Sequence, residues 1–342
     1  MKQIIISKYG PPEVLQVREV STPEPGANEV RVKIHFAGVN FAEVMARMRL
    51  YPGAPKPPTT IGAEGSGIIE KIGDDVTQWK VGAKVMFFAR FKSYASHVIT
   101  SAELLIPLPD SLTMEQGAAC PLVYTTAHLM MFDQGNLREN QTILIHGAGG
   151  GVGTAAIQLA KSVGAKTIGT ASGWKQEKLK EMGLDHFIDY TKEDVLKRVI
   201  ELTKGRGVDV CLDPVGGKSW INSYKVLSEL GKLIVFGNQT IVSGFRLNPL
   251  VLLKEFLTMT KFSPMKLIPR NKGVMGFHLG YLKKSKDRVS AAFTDLLKLA
   301  DEGKISPVVD TVFPFTDAPG AHRHMQERKN LGKILIDFRE AN

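Results

Sequence analysis

The sequence predicts an α/β protein in which a β-rich domain accompanies a doubly wound parallel sheet. Three observations predict this class: short strands separated by Pro/Gly turns at the start, strands alternating with helices from Thr142 onward, and a glycine-rich turn. The turn reads His146-Gly147-Ala148-Gly149-Gly150-Gly151-Val152-Gly153 and lies between an apolar run and a helical pattern. Strand, glycine turn and helix in this order are the context of a dinucleotide-binding turn, in which the helix N-terminus holds a pyrophosphate.

Composition places the chain among globular proteins. Its 342 residues, 43% hydrophobic and 23% charged, suffice for about two domains with substantial cores. The net charge is +10, but basic and acidic residues are interleaved without a long basic run. A basic enzyme with anionic ligands is therefore favoured over a nucleic-acid-binding protein.

Cysteine usage and hydropathy bear on the compartment. Cys120 and Cys211 are too few for a disulfide framework and indicate a reducing environment. The first apolar run is too short for a signal peptide, and no stretch approaches ~20 uninterrupted apolar residues. We therefore expect a cytoplasmic protein without a membrane span.

The N-terminal part reads as a series of short strands. In Glu29–Phe36 apolar residues alternate with polar ones, which is typical of a half-buried strand. The other predicted strands, bounded by turns such as Pro23-Glu24-Pro25-Gly26, are Gln3–Lys8, Leu15–Val20, Gly65–Gly73, Lys84–Phe88 and Tyr94–Thr100.

From Thr142 the pattern alternates, and it calls for a parallel sheet with a cofactor at the carboxyl ends of the strands. The predicted strands are Thr142–Ile145, Lys166–Thr170, Asp185–Tyr190, Val208–Asp213 and Lys232–Gly237, and the predicted helices are Val152–Val163, Lys175–Met182 and Asp194–Thr203. Past Arg270, a helix at Val289–Leu299 and a strand at Lys333–Phe338 do not belong to this alternation of strands and helices. We expect this C-terminal segment to fold back onto the N-terminal domain.

Several motifs carry a resemblance to a known family. They are Gly38-Val39-Asn40-Phe41-Ala42-Glu43, Gly62-Ala63-Glu64-Gly65-Ser66-Gly67, the glycine turn, Asp213-Pro214-Val215-Gly216-Gly217 and Lys329-Asn330-Leu331-Gly332-Lys333. In this order they resemble the medium-chain dehydrogenase/reductase superfamily, and within it the zinc-independent quinone oxidoreductases. Phe41–Arg47 and Gly276–Leu282 are similar to vesicle amine transport protein homologues. The resemblance implies a GroES-like β-rich catalytic domain, residues 1–122 and 273–342, and a Rossmann domain, residues 123–272.

The strand after the glycine turn indicates which nicotinamide cofactor binds. An NAD site usually carries an acid about 20 residues beyond the turn, but here the strand ends Thr170-Ala171-Ser172-Gly173-Trp174-Lys175. A hydroxyl and a lysine favour the 2′-phosphate of NADPH, although Lys175 alone could be a solvated lysine at a helix start.

The resemblance supplies the other expected cofactor contacts. It implies Gly150, Gly151 and Val152 at the pyrophosphate, Ser172, Gly173, Lys175 and Arg328 at the 2′-phosphate, Tyr190 on the adenine side, and Thr126, Phe236, Gly237, Asn238, Phe277 and Asn330 on the nicotinamide side.

The same resemblance implies that no metal is bound. Zinc-dependent members have a cysteine at the position of Asn40 and a histidine at that of Ala63, and their four-cysteine lobe is missing here. Because catalytic zinc needs three protein ligands, we expect no zinc.

Without zinc, conjugated acceptors such as quinones and enones are favoured, because they spread the incoming charge and need mainly positioning and a hydrogen-bond donor. Asn40 is the first candidate donor; alternatively, its amide only caps the turn before a helix. Tyr51 is the second candidate, and its alternative is a packed loop aromatic. Glu43 and Arg47 are expected to form an ion pair along one helix face.

The sequence therefore predicts a zinc-independent, NADPH-dependent oxidoreductase that reduces quinones or other conjugated carbonyls by direct hydride transfer. The alternative enzyme is an enoyl or 2-alkenal reductase. The alternative of another class is a nucleotide-binding, membrane-peripheral protein with little turnover, suggested by apolar and basic residues in 250–269 that could equally form a lid or a subunit interface. The resemblance also implies a homodimer joined by edge strands around Asn238–Leu247.

Overall fold

The computed structural model describes residues 1–282 and 284–341, and the chain forms two compact units. The β-rich unit contains Met1–Leu122, Val242–Leu247 and Pro307–Asn342. The parallel-sheet unit contains Val123–Ile241 and Asn248–Ser306.

Antiparallel strands build the N-terminal part of the β-rich unit. They are β1 (Lys2–Ile6), β2 (Leu15–Glu19), β3 (Glu29–Val39), β4 (Thr59–Thr60), β5 (Glu64–Ile72), β6 (Lys84–Phe88), β7 (His97–Ser101) and β8 (Leu105–Pro107), with the short helices α1 (Phe41–Arg47) and α2 (Met114–Ala118). The longest strand, β3, pairs with both β5 and β7. Its alternating residues Val30, Val32 and Ile34 are fully buried, as the alternation in the sequence predicts.

The parallel-sheet unit is a doubly wound sheet. Its strands β9 (Thr142–His146), β10 (Lys166–Ala171), β11 (His186–Asp189), β12 (Val208–Asp213), β13 (Leu227–Val235) and β14 (Gly273–Gly276) lie in the order β11-β10-β9-β12-β13-β14, and all neighbours are parallel. The helices are α3 (Pro121–His128), α4 (Gly151–Ser162), α5 (Gln176–Glu181), α6 (Val195–Leu202), α7 (Lys218–Lys225), α8 (Pro249–Leu257), α9 (Pro264–Leu267) and α10 (Lys286–Asp301). The central strand residues Ile143, Leu144 and Ile145 are buried, as expected of a sheet covered on both faces.

The last part of the chain completes the β-rich unit. It contains β15 (Val309–Pro314), α11 (Ala318–Gln326) and β16 (Lys333–Asp337). β16 pairs antiparallel with β3 and parallel with β15, so it joins β15 to β3 in a seven-stranded sheet. The predicted fold class is confirmed.

One predicted domain boundary is wrong. We predicted that the C-terminal segment of the β-rich domain begins at residue 273, but it begins at Pro307. The reason is that β14 pairs in parallel with β13 as a sixth strand, and α10 follows it within the parallel-sheet unit.

The predicted edge strand at Asn238–Leu247 is also wrong. Within the described residues this segment contains a short 3₁₀ turn, Gln239–Ile241, and no strand. The edges of the parallel sheet are β11 and β14. None of the described helices has the length and apolar character that crossing a membrane demands.

Candidate functional site

The glycine turn connects β9 to α4 as predicted. Helix α4 begins after Gly150, which has no side chain, so no side-chain hydrogen bond caps the first turn. The first N–H groups of a helix have no intrahelical acceptor and attract an anion. Gly151 and Val152 therefore present N–H groups that can hold a pyrophosphate.

Lys175 lies against this turn. It is only 6% exposed, so the alternative of a solvated lysine is wrong. A Cβ built on Gly149 would stand 2.5 Å from Lys175 Cδ and 3.3 Å from Lys175 Nζ. Glycine at position 149 is thus what allows the lysine side chain to pass beside the turn. The ammonium also lies 4.9 Å from the ring centroid of Trp174.

Hydroxyl groups accompany the lysine at the carboxyl ends of β10 and β11. Ser172 and Gly173 follow β10, and Tyr190 follows its parallel neighbour β11. Ser172 Oγ and Tyr190 Oη lie 3.4 Å apart. Asp189 Oδ1 accepts bonds from the N–H and O–H of Thr191 at 3.0 and 2.6 Å, and Asp189 Oδ2 lies against Gly173, where an added Cβ would stand 2.5 Å from it.

Four of the residues predicted for the nicotinamide side follow β13 and β14, at the opposite end of the sheet from β11. Phe236, Gly237 and Asn238 follow β13, and Phe277 follows β14 with its N–H bonded to Val235 O at 2.9 Å. Thr240 Oγ1 lies 2.7 Å from Asn238 Oδ1 and 2.9 Å from Glu255 Oε2. Thr126 is buried in α3.

A buried polar chain at the end of β9 had no predicted role. His146 Nδ1 lies 3.2 Å from Thr170 Oγ1, and His146 Nε2 lies 3.0 Å from Ser223 Oγ. Ser223 donates to Asp213 Oδ2 at 2.7 Å. Burial lowers the pKa of His146, while Asp213 acts to raise it. The sequence signal was a histidine ending an apolar strand. The chain ties together the carboxyl ends of β9, β10 and β12, where the glycine turn begins.

A second polar cluster surrounds Asn40 in the β-rich unit. Asn40 is 5% exposed, and its Nδ2 donates to Glu64 Oε1 at 3.0 Å. Its Oδ1 accepts from Lys333 Nζ, which also forms an ion pair with Glu64 Oε1. Glu64 Oε2 accepts the N–H of Leu122 at 2.7 Å. The amide therefore does more than cap the turn, and sequence reasoning assigned no role to its partner Lys333.

The predicted ion pair between Glu43 and Arg47 is wrong. Glu43 Oε2 accepts the backbone N–H of Asn40 at 2.7 Å, whereas Arg47 donates to Gly10 O and Gln326 Oε1. In the described part of the chain no ion pair joins the two. Burial raises the pKa of Glu43 to about 7 against the opposing effect of Lys333, and it lowers the pKa of Arg47 to about 10.

Three further residues of the β-rich unit, Tyr51, Arg328 and Asn330, are predicted to contact substrate or cofactor. Tyr51 packs edge-on against Phe91, with ring centroids 5.9 Å apart and planes at 77°. Arg328 follows α11 in a left-handed conformation, with φ of 58°. Asn330 Nδ2 donates to Gly332 O at 2.9 Å. Their predicted roles toward substrate and cofactor stay predictions.

The donor set near Asn40 does not fit a catalytic zinc. Ala63 carries no ligand atom, Asn40 offers only an amide, and the Glu64 carboxylate is paired with the Lys333 ammonium. Over residues 1–282 and 284–341 no three His, Cys, Asp or Glu side chains are placed to hold a metal ion.

Comparison with known proteins gives consistent matches. Residues 26–110 match a family described as alcohol dehydrogenase GroES-like domain, and residues 182–336 match one described as zinc-binding dehydrogenase. The synaptic vesicle membrane protein VAT-1 homolog of Danio rerio is 37% identical over 338 residues, which cover 98% of this chain and 69% of the zebrafish protein.

Two solved structures share the fold over nearly the whole chain. Escherichia coli quinone oxidoreductase complexed with NADPH has a TM-score of 0.87 and 30% identity, covering 98% of this chain and 100% of that one. The CurK enoyl reductase has a TM-score of 0.86 and 26% identity, covering 98% of each chain.

Proposed function

Because this chain belongs to the medium-chain dehydrogenase/reductase superfamily, close to VAT-1 homologues and quinone oxidoreductases, we propose that it is a zinc-independent, NADPH-dependent reductase of quinones or other conjugated carbonyls. The observation that carries the proposal is the buried Lys175 side chain lying against the glycine turn. It supplies a cation beside the groups that suit a pyrophosphate.

Three groups suit the 2′-phosphate of NADPH. Lys175 supplies the positive charge, and Ser172 and Tyr190 supply hydroxyl donors at adjacent strand ends. A phosphate dianion gains more from charge-assisted hydrogen bonds than a ribose hydroxyl does. The carboxylate of Asp189, the residue before Tyr190, accepts hydrogen bonds from Thr191. The E. coli quinone oxidoreductase is described as complexed with NADPH, which supports the same cofactor here.

The Asn40 cluster supports a conjugated acceptor. When bound, NADPH supplies a hydride, and the negative charge then develops on the acceptor oxygen. With a donor set that does not fit zinc, this charge must be met by hydrogen-bond donors and by delocalisation through the acceptor itself. The Nδ2 of Asn40 is the donor we assign to that oxygen. A quinone that takes up the hydride acquires its remaining proton from solvent and leaves as the hydroquinone.

An enoyl or 2-alkenal reductase is the alternative enzyme, and the likeness to CurK enoyl reductase supports it. It uses the same hydride but delivers it to carbon and needs a proton at the neighbouring carbon. Tyr51 is the assigned candidate for that donor, although the ring packs on Phe91. The products distinguish the two enzymes, since quinone yields hydroquinone and alkenal yields a saturated aldehyde.

The test is oxidation of NADPH and of NADH against a panel of quinones, enones and alkenals, with and without a chelator. We expect faster reaction with NADPH, at least one quinone among the good acceptors, and no effect of the chelator. Equal kcat/KM for the two nucleotides would contradict the cofactor assignment. Loss of activity with the chelator would contradict zinc independence.

The exposed face of α8 favours a second candidate function, a nucleotide-binding protein at a membrane surface. Leu250, Leu253, Phe256 and Leu257 are 76, 54, 71 and 73% exposed. Exposed apolar residues of this density on one helix are unusual in a monomer. Basic side chains at Lys254, Lys261, Lys266 and Arg270 suit an anionic lipid surface.

Co-sedimentation tests this second candidate. The protein is mixed at moderate salt with vesicles of phosphatidylserine and phosphatidylcholine, or of phosphatidylcholine alone. Binding only to the anionic vesicles, abolished by Phe256→Asp, is the expected result. Failure to pellet with either vesicle removes the membrane role and leaves a lid or a subunit interface.

Assembly and location complete the proposal. We propose that the chain forms a homodimer through the edge strand β14. We also propose that the enzyme is cytoplasmic, which the free, buried thiols of Cys120 and Cys211 support. Light scattering after gel filtration tests the dimer, and a mass of one chain would contradict it.

A further inference from the structure

Lys333 is a buried cation beside the proposed hydrogen-bond donor. It is 2% exposed and begins β16, where Ile334 pairs with Val39 of β3. This register brings it to the end of β3, next to Asn40. Glu64 begins β5 on the other side of β3, so three adjacent strands deliver the lysine, the amide and the carboxylate to one point.

The backbone makes room for this cluster at Gly38. A Cβ at that position would stand 2.8 Å from Glu64 Oε1 and 2.9 Å from Lys333 Cε. The close approach shows that the ion pair is packed tightly over the strand. A buried ion pair is a weak source of stability, because the cost of removing both charges from water offsets most of their attraction. The ion pair beside Asn40 therefore has a consequence other than stabilising the fold.

That consequence is the orientation of the amide. The Lys333 ammonium only donates hydrogen bonds, and the Glu64 carboxylate only accepts them. Asn40 satisfies both in one orientation, with Oδ1 toward the lysine and Nδ2 toward the carboxylate. A flipped amide would place its NH₂ against the ammonium and its oxygen against the carboxylate.

The same contacts prepare the amide to donate. Glu64 uses one of the two Nδ2 hydrogens, and in the described part of the chain the other has no acceptor. A cation on Oδ1 polarises the amide and makes its N–H groups better donors. We propose that Lys333, acting with Glu64, is the positioning residue that orients and polarises Asn40 toward the oxygen of the hydride acceptor. This inference rests on the proposed function, in which Asn40 is that donor.

The first experiment reads the amide directly and does not depend on activity. In protein labelled with ¹⁵N at asparagine, the side-chain signals of Asn40 are those missing in Asn40→Asp. We expect them to move or broaden in Lys333→Met/Glu64→Gln, which removes both charges and so avoids leaving one buried alone. Lys329→Met, an exposed lysine paired with Glu327, is the matched control and should leave them in place. Unchanged Asn40 signals in the double variant would overturn the inference.

The second experiment is a double-mutant cycle in quinone reduction at saturating NADPH. Loss of one well-placed donor costs roughly 100-fold in kcat, and we expect Asn40→Asp to approach this and Lys333→Met to cost at least about tenfold. In the Asn40→Asp background, Lys333→Met should add less than about twofold. If the kcat losses of the two single variants multiply in the double variant, the positioning role is overturned, because a merely structural lysine would act independently of Asn40. Should the wild type reduce no quinone while the amide signals respond as expected, the proposed function fails and the orientation of Asn40 by Lys333 stands.

Discussion

The side chain of Lys175 crosses the glycine turn at Gly149, where a Cβ would stand 2.5 Å from Lys175 Cδ. This contact links the turn proposed to hold a pyrophosphate to the cation assigned to the 2′-phosphate. It also explains why position 149 is a glycine although the helix begins only after Gly150.

Gly149→Ala should displace Lys175 and weaken binding of the 2′-phosphate. We expect the Kd of 2′,5′-ADP to rise about tenfold, the loss of one charge-assisted contact, with a smaller effect on 5′-AMP. Calorimetric titration of both nucleotides measures the difference. Gly273→Ala, in β14, where the added Cβ would meet only Lys232 Cγ at 3.5 Å, controls for effects of the substitution itself. Equal weakening of both nucleotides would contradict the assignment of the lysine.

Glu43→Gln should change how stability depends on pH. Burial raises the pKa of Glu43 to about 7 from its usual 4.5. A raised carboxyl pKa means that the folded chain binds more protons than the unfolded chain. The resulting stability is present below about pH 4.5 and is lost as the pH rises through about 7.

Glutamine mimics the protonated acid, so the variant should gain on the wild type by up to about 3 kcal/mol between pH 5 and pH 8.5, at 1.36 kcal/mol per pKa unit. Urea unfolding at several pH values measures the gain. Glu327→Gln, at an exposed carboxylate whose pKa is lowered by Lys329, is the control. A difference independent of pH would show that Glu43 is ionised in the folded chain.

Ser223→Ala should destabilise the parallel-sheet unit. The substitution removes the hydroxyl between His146 and Asp213 and leaves two buried polar groups short of a partner. The expected cost is about 1–3 kcal/mol in the free energy of unfolding. Denaturant unfolding measures it, with Ser290→Ala on the exposed face of α10 as the control. No loss of stability would mean that water replaces the hydroxyl.

Metal removal should leave the enzyme active. The residues around Asn40 do not form a zinc donor set, since Ala63 has no ligand atom and Glu64 is paired with Lys333. Dialysis against a strong chelator followed by the quinone assay should change kcat by less than about twofold, and added Zn²⁺ should not raise it. Activity that disappears and returns with Zn²⁺ would contradict the account.

The local features were predictable from the sequence. Each feature depends on residues that are close in the sequence, and their pattern predicts it. Examples are the turn before α4, the alternating strand β3 and the acid-free end of β10. The four-residue strand β14 was missed because Gly273-Val274-Met275-Gly276 shows neither alternation nor a long apolar run. Its omission displaced the predicted boundary from Pro307 to residue 273.

The Asn40 cluster could not be predicted from residues close together in the sequence. Asn40 and Lys333 are 293 positions apart, and they meet only because β16 pairs with β3. The expected Glu43–Arg47 pair does not form: helical spacing permits the contact, but Glu43 binds the backbone N–H of Asn40 at the start of its own helix. Arg47 instead binds the distant residues Gly10 and Gln326. The spacing of residues within one helix or strand shows which of its own side chains can meet. Which other side chains they contact depends on how the strands pair.

The most direct test of the central claim is the ratio of kcat/KM for NADPH to that for NADH in Lys175→Ala, measured with the best quinone. Lys178→Ala, an exposed lysine paired with Glu181, is the matched control. We expect wild type and control to prefer NADPH by at least about tenfold, the value of one charge-assisted contact. In Lys175→Ala this preference should disappear because kcat/KM for NADPH falls, whereas kcat/KM for NADH stays the same. A wild-type enzyme that uses both nucleotides equally, or a Lys175→Ala variant that keeps the preference, would contradict the account.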